Sequence, residues 1–260
     1  MSQLGDYASK YPSIDFERTE TGILTMRLHR EGGPMKWTAN EGGAHEQIGE
    51  ALWNVARDPG NRVVIFTGTG GSFMVDHVPE EYPADDSENW TRLTREGKDI
   101  LTGFLEIDRP LITIANGPAT YRCEMTVLGD VVLAADDAYF QDSHIRKGLV
   151  PSDGCNTVWL ELLGPNRGRT FLMTAQTLTA QQLHTFGVVA EVLPRAQLMT
   201  RAREIAETWL QWSPEVLSYA HIAMTHALRK RLLDEVGYGH AIEGLGKYGN
   251  AEWRSKAANR

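Results

Sequence analysis

The chain reads as an α/β protein with a single core, on three observations. Two runs, RVVIFTG from Arg62 and LITIAN from Leu111 to Asn116, are apolar almost throughout instead of alternating, the pattern of parallel strands covered on both faces. Stretches with apolar residues at helical spacing lie between and after them, so strand and helix alternate. No Pro/Gly/Ser-rich linker divides the 260 residues into two cores.

Taken in order, the chain opens as a hairpin. IDFERTETGILTMRLHR, from Ile14 to Arg30, alternates apolar and polar residues on both sides of Glu20, Thr21 and Gly22. Asn40 to Arg57 places Ile48, Leu52 and Val55 at helical spacing, which predicts an amphipathic helix ending before Asp58, Pro59 and Gly60. RVVIFTG then runs into GTGGSF, a glycine-rich turn at the carboxyl end of a strand, the edge where open α/β sheets bind ligands. Residues 74 to 90 are acidic, proline-containing and aperiodic, which predicts a mobile flap, and residues 91 to 107 return to a helix. After LITIAN the chain turns at GPATYR, and CEMTVLGDVVLAADDAYF predicts a short buried helix and then a strand from Val131 to Ala135. Beyond the next loop come a helix, a break at Gly164 and Pro165, a second helix, and a helix-to-strand turn at Phe186 and Gly187. From about Arg195 the chain is almost wholly helical, with Trp209, Trp212, Leu217, Leu232 and Leu233 to bury, a composition suited to packing on a neighbouring subunit.

Composition narrows the function classes. The 42% hydrophobic and 23% charged content is ordinary for a globular protein, and no apolar run approaches the ~18 residues of a membrane span. The N-terminal MSQLGDYASKYPSIDFE lacks the basic start and apolar core of a signal peptide, and the two cysteines, Cys123 and Cys155, suit a reducing cytoplasm better than a disulfide framework. A net charge of -8 argues against a nucleic-acid surface. The eight histidines show no metal-site spacing, His45 and His77 read as surface residues, and GTGG without GxxxxGK[ST] is a tight turn rather than a phosphate loop.

Chemistry concentrates between Asn116 and Gly154, where His144, Arg146, Lys147 and Asp153 fall on a loop punctuated by Gly148, Pro151 and Gly154. Histidine titrates near working pH and suits a general base, and Asp153 is placed to turn back and accept its other ring N–H or to cap the helix that follows. Arg122 is always charged and suits developing negative charge, Trp37 can wall a pocket, and Tyr82 sits on the flap. Glu124 reads as a partner for Arg122 or for a helix start.

The motifs RVVIFTGTGGSF, RPLITIANGPA, DDAYFQ, GLVPSDG and LLGPNRGRTFLMTAQTLTAQQLHTFGVVAEVLP, in this order and spacing, resemble the crotonase (enoyl-CoA hydratase/isomerase) superfamily. The resemblance implies a crotonase-type spiral of ββα turns over residues 1–195 and a C-terminal helical trimerisation region over 196–260, assembled as a homo-trimer or a dimer of trimers. It also implies an oxyanion hole whose two backbone N–H groups belong here to Val75 and Arg122. Thioester-using members carry small residues at both turns. FMVDHV and ATYRCE stand there instead, Tyr121 among them, which argues against coenzyme A and implies no cofactor. The hydratases' paired carboxylates map onto Glu124 and His144, so a histidine replaces one of them.

NGPATYRCE followed by FQDSHIRKGLVPSDG, with MKWT near the start, is similar to the coenzyme A-independent β-diketone hydrolases, of the oxocamphor hydrolase kind. That likeness places His144, Asp153, Trp37 and Glu243 in the pocket, with Glu235 as the alternative helix glutamate, and puts Arg122 where the subgroup has a histidine. The expected substrate is a small β-diketone, cleaved by a retro-Claisen reaction. The rival readings are an acyl-CoA hydratase, isomerase or thioesterase and a non-catalytic scaffold relative.

Overall fold

The computed structural model describes residues 3–83 and 86–250. A short helix α1 (Leu4–Tyr7) leads into the hairpin β1 (Ile14–Arg18) and β2 (Ile23–Leu28), then β3 (Met35–Trp37) and α2 (Ala44–Ala56). The core continues through β4 (Val63–Gly68), β5 (Met74–His77), α3 (Ser87–Glu106), β6 (Leu111–Ala115), β7 (Val131–Ala135) and β8 (Tyr139–Phe140). It closes with α4 (Cys155–Thr174), β9 (Leu178–Thr179), α5 (Ala180–Thr185), β10 (Glu191–Leu193), α6 (Arg195–Trp209) and α7 (Pro214–Gly249). One six-stranded sheet runs in the order β1-β2-β4-β6-β7-β10; β1 and β2 are antiparallel and every later pairing is parallel. Every residue of β4 and β6 is buried, as their unbroken apolar runs require.

A smaller layer forms at the carboxyl edge of that sheet. β3 pairs with β5, Met74 bridges to Ala119, Ala119 bridges to Phe140, and β8 pairs with β9. The glycine-rich turn is tied to this edge by Asn116, whose Oδ1 accepts from Gly68 N at 3.2 Å and whose Nδ2 donates to the carbonyls of Gly70 and Ser72. Gly117 is required here by approach: a Cβ on it would lie 2.2 Å from the Gly71 carbonyl oxygen. The NG pair thus fixes where the second layer starts, and that layer presents Trp37, His77 and Arg122 on one side.

Two expectations change. Residues 74 to 90 do not form an aperiodic flap: they contribute β5, a 3-10 turn at Pro79–Glu81 and the first turn of α3, capped by Asp86 accepting from Asn89 N at 2.9 Å; residues 84 and 85 lie outside the described residues. The buried helix expected after Asn116 is one 3-10 turn, Cys123–Val127, entered through Arg122 at a left-handed φ of 49°.

α4 is broken at Gly164, which has non-helical φ/ψ before Pro165, as the sequence predicts. α7 lies on α3 and α4 and is seated by glycine: a Cβ at Gly239 would meet the Ser152 carbonyl oxygen at 1.8 Å, and Ser152 Oγ donates to the Gly239 carbonyl at 2.7 Å. This close approach delivers the next turn of α7, with His240 and Glu243, to the loop between β8 and α4. The part of the C-terminal region past residue 250 lies outside the described residues.

Candidate active site

A cavity of about 410 Å³ opens where β3, β5, α3, the Thr120–Arg122 turn, the loop before α4 and α7 converge. Of the residues expected in the site, Trp37, Tyr82, Tyr121, Arg122, His144, Asp153 and Glu243 line it. Two do not: Val75 lies on β5, 40% exposed, and Glu124 is buried behind Arg122. Glu235 is elsewhere on α7, accepting from Thr157 Oγ1 at 2.6 Å, so Glu243 is the glutamate that reaches the cavity.

His144 is held by two carboxylates. Its Nδ1 lies 3.0 Å from both oxygens of Asp142, whose Oδ1 also accepts from the His144 backbone N–H, and its Nε2 lies 3.5 Å from Asp153 Oδ2. The orienting partner is therefore Asp142, two residues upstream in FQDSH, and not Asp153 as the sequence spacing suggested. Burial alone would lower the imidazole's pKa, but Asp142 and Asp153 raise it well above the usual histidine value, which favours the imidazolium. Its Nε2 faces Asp153 Oδ2 across a contact longer than most hydrogen bonds, on the side of the ring away from Asp142.

Asp153 is shared. Burial would raise it, yet the Arg122 guanidinium and His144 hold it well below the usual carboxylate range. Arg122 donates to Asp153 Oδ2, lies 3.5 Å from Glu124 Oε1, donates through Nη2 to His45 Nε2 at 3.1 Å, and stacks 5.1 Å from the Trp37 ring centroid. The guanidinium is thus committed to neighbours instead of standing free for an oxyanion. Glu243 stands on the other side of the balance: burial, then the like charge of Asp153, pushes its pKa up to about 7. Glu124 reaches about 7 as well, by burial against the opposing pull of Arg122.

The sequence reading missed His45 and His77, both taken as surface residues. His45 is 4% exposed and sits between Arg122 and Glu96, with Nδ1 2.8 Å from Glu96 Oε2. Its spacing of three and seven to Ile48 and Leu52 already put it on the buried face of α2. His77 lines the cavity and pairs through Nδ1 with the Tyr121 hydroxyl at 2.7 Å. Gly97 on α3 makes room beneath the His45 and His240 rings, because a Cβ there would lie 3.3 Å from His45 Nε2 and 3.2 Å from His240 Cε1. Asp142, His144 and Cys155 bring their donor atoms within 4.8 Å of one another, but Asp142 and His144 are already bonded to each other and burial holds the Cys155 thiol protonated.

A mostly parallel sheet of this order, with its cavity at the carboxyl edge beside the Thr120–Arg122 turn, defines a class. The enoyl-CoA hydratase/isomerase model matches residues 18–241, and the chain belongs to that family, the crotonase superfamily. Among solved structures it is similar to ABDH, a β-diketone hydrolase from the cyanobacterium Anabaena sp. PCC 7120 bound to (S)-3-oxocyclohexyl acetic acid. Identity is 37%, coverage 93% of this chain and 96% of that one, and the TM-score 0.89. Among curated proteins it is 28% identical over 202 residues, 77% of each chain, to carnitinyl-CoA dehydratase from Salmonella enteritidis. An enoyl-CoA hydratase/isomerase from Mycobacterium paratuberculosis shares the fold, with a TM-score of 0.85 at 20% identity, covering 96% of this chain and 98% of its own.

Proposed function

We propose that this protein hydrolyses the carbon–carbon bond between the carbonyls of a β-diketone, cyclic ones included, by a retro-Claisen reaction without coenzyme A. The observation that carries the reading is His144, clamped between Asp142 and Asp153 where a hydratase would place a second acid/base carboxylate, and sharing its cavity with a glutamate of pKa about 7. The likeness to ABDH supports the substrate class.

The ionisation states assign the roles. The water is activated by Glu243, which lines the cavity and whose raised pKa matches neutral pH, while His144, raised by its two aspartates, serves as a donor. Water oxygen bonds to one carbonyl carbon while its proton passes to Glu243. The oxyanion and then the enolate oxygen are stabilised by His144 Nε2–H and by the backbone N–H of Arg122. Collapse breaks the bond between the two carbonyl carbons' shared carbon and the attacked carbon, and Glu243 returns its proton to the enolate carbon. One water is consumed; a cyclic substrate gives a keto acid and a linear one an acid and a ketone, the acid ionising to its carboxylate. Asp142 fixes the imidazole's orientation, and Arg122 keeps Asp153 charged beside it. Trp37, Tyr82 and Tyr121 wall the substrate.

The chain works as a homo-trimer or dimer of trimers in the cytoplasm on this reading, supported by the exposed apolar side chains of α7 and by two buried free cysteines. Turnover of a cyclic 1,3-diketone in ¹⁸O-labelled water tests the reaction: one labelled oxygen in the product carboxylate is expected. Turnover of an acyl-CoA with no diketone cleaved would instead support a thioester enzyme like the Salmonella relative.

A further inference from the structure

We infer that Glu96 on α3 is a positioning residue: acting through His45, it fixes where Arg122 points, and with it the charge on Asp153 beside His144. The inference follows from who can donate. An arginine guanidinium has no acceptor, so the 3.1 Å contact from Arg122 Nη2 requires His45 Nε2 to be a bare lone pair. The ring proton of His45 must then sit on Nδ1, where Glu96 Oε2 accepts it at 2.8 Å. With the proton on Nε2 instead, N–H would face N–H and the guanidinium would be driven off. Glu96 chooses between these tautomers, because it offers the Nδ1 side an acceptor.

The rest of the chain of contacts gives that acceptor a cationic neighbour. Arg92 donates to Glu96 Oε1 at 2.5 Å and to the Ala39 carbonyl at 2.8 Å, so a carboxylate that is 8% exposed retains a cationic partner. Burial, with Arg122 opposite, holds His45 down to about 4, so the ring is neutral at working pH and the tautomer is the only variable left. Gly97, the residue after Glu96, leaves the space the His45 ring occupies. A path of four side chains, Arg92, Glu96, His45 and Arg122, therefore leads from the edge of α3 to Asp153, and its first three members are not part of the chemistry proposed above.

The test needs no substrate for its main arm. In the full-length protein labelled with ¹⁵N-histidine, the His45 ring is expected to carry its proton on Nδ1, and Glu96→Leu is expected to move it to Nε2 or to mix the two tautomers. Glu96→Gln keeps an acceptor toward Nδ1 and is expected to retain the wild-type tautomer, which separates the effect from general disruption of α3. The kinetic arm rests on the proposed diketone reaction. Asp153 is faced by Arg122, His144, His45, His240, Glu124, Glu243, Asp142 and Cys155, and Arg122 also lowers Glu243, whose titration sets the acid limb in the proposed reaction, so withdrawing Arg122 in Glu96→Leu moves the acid limb of kcat/KM upward from about pH 7. If Glu96→Leu does not fold, the wild-type spectrum still decides. A wild-type His45 protonated on Nε2, or a Glu96→Leu protein with unchanged tautomer and acid limb, overturns the inference. Absence of diketone turnover removes only the kinetic arm and counts against the proposed function, while the tautomer result stands by itself.

Discussion

Glu243 and His144 are shifted in the same direction, and the proposed reaction uses them oppositely. Burial and Asp153 keep Glu243 protonated up to about pH 7, and two aspartates keep His144 protonated beyond the usual histidine range. Activity is therefore expected to climb as pH rises through about 7, where Glu243 becomes a base, and to fall only above the raised value of His144. Glu243→Gln is expected to lower kcat by ~10²–10⁴ and to abolish that acid limb. The same variant has a stability signature. Folded Glu243 holds a proton that the unfolded chain releases above about pH 4.3, so the wild type loses stability from there up to about 7. Glu243→Gln is expected to be the more stable protein at pH 8, by up to a few kcal/mol, read as a higher Tm; an unchanged Tm and an unchanged acid limb together would remove Glu243 from the role of base. These roles were only partly legible. His144, Asp153, Trp37 and Arg122 stand in recognisable motifs, but which carboxylate meets which ring nitrogen depends on the path of the loop after β8, and Asp142 was hidden as an ordinary loop aspartate.

The central strands were plain in the sequence because a strand covered on both faces has no polar positions to disguise it. Their packing is correspondingly intolerant: Phe66 on β4 meets Phe104 on α3 edge-on at 4.9 Å between centroids and Phe73 at 5.9 Å. Phe66→Ala is expected to cost about 3–5 kcal/mol, measured by urea denaturation. The first turn of α3 was illegible for the opposite reason. Ser87, Glu88, Asn89 and Trp90 bury no complete side chain, so no helical period appears until further along the helix. The register of α7 was likewise hidden, since the meaning of Gly239 lies in the Ser152 carbonyl across from it. Gly239→Ala is expected to push α7 off that loop and carry Glu243 out of reach. Its kcat should fall with that of Glu243→Gln, together with a drop in Tm; a Gly239→Ala protein with wild-type kcat would show that the close approach does not position the glutamate.

At the scale of the whole molecule, α6 and α7 account for an asymmetry in the surface. Met224, Tyr238, Leu245, Tyr219 and Val216 are 80%, 72%, 71%, 69% and 65% exposed, and Trp212 at the junction is 54% exposed. Leu232, by contrast, is buried against the core, so the helix has one buried face and one exposed apolar face. Sedimentation is expected to give a trimer or hexamer, and Met224→Glu with Tyr219→Glu to shift it toward monomer; a monomeric wild type would contradict this assembly. No helix among the described residues is long and apolar enough to cross a membrane. The most direct test of the central claim is the loss of enol absorbance of mono- and bicyclic 1,3-diketones, with no coenzyme A added, in wild type beside His144→Ala. Cleavage by the wild type and a loss of ~10²–10⁴ in the variant are expected. A wild type that leaves every diketone intact while turning over an acyl-CoA would contradict the account.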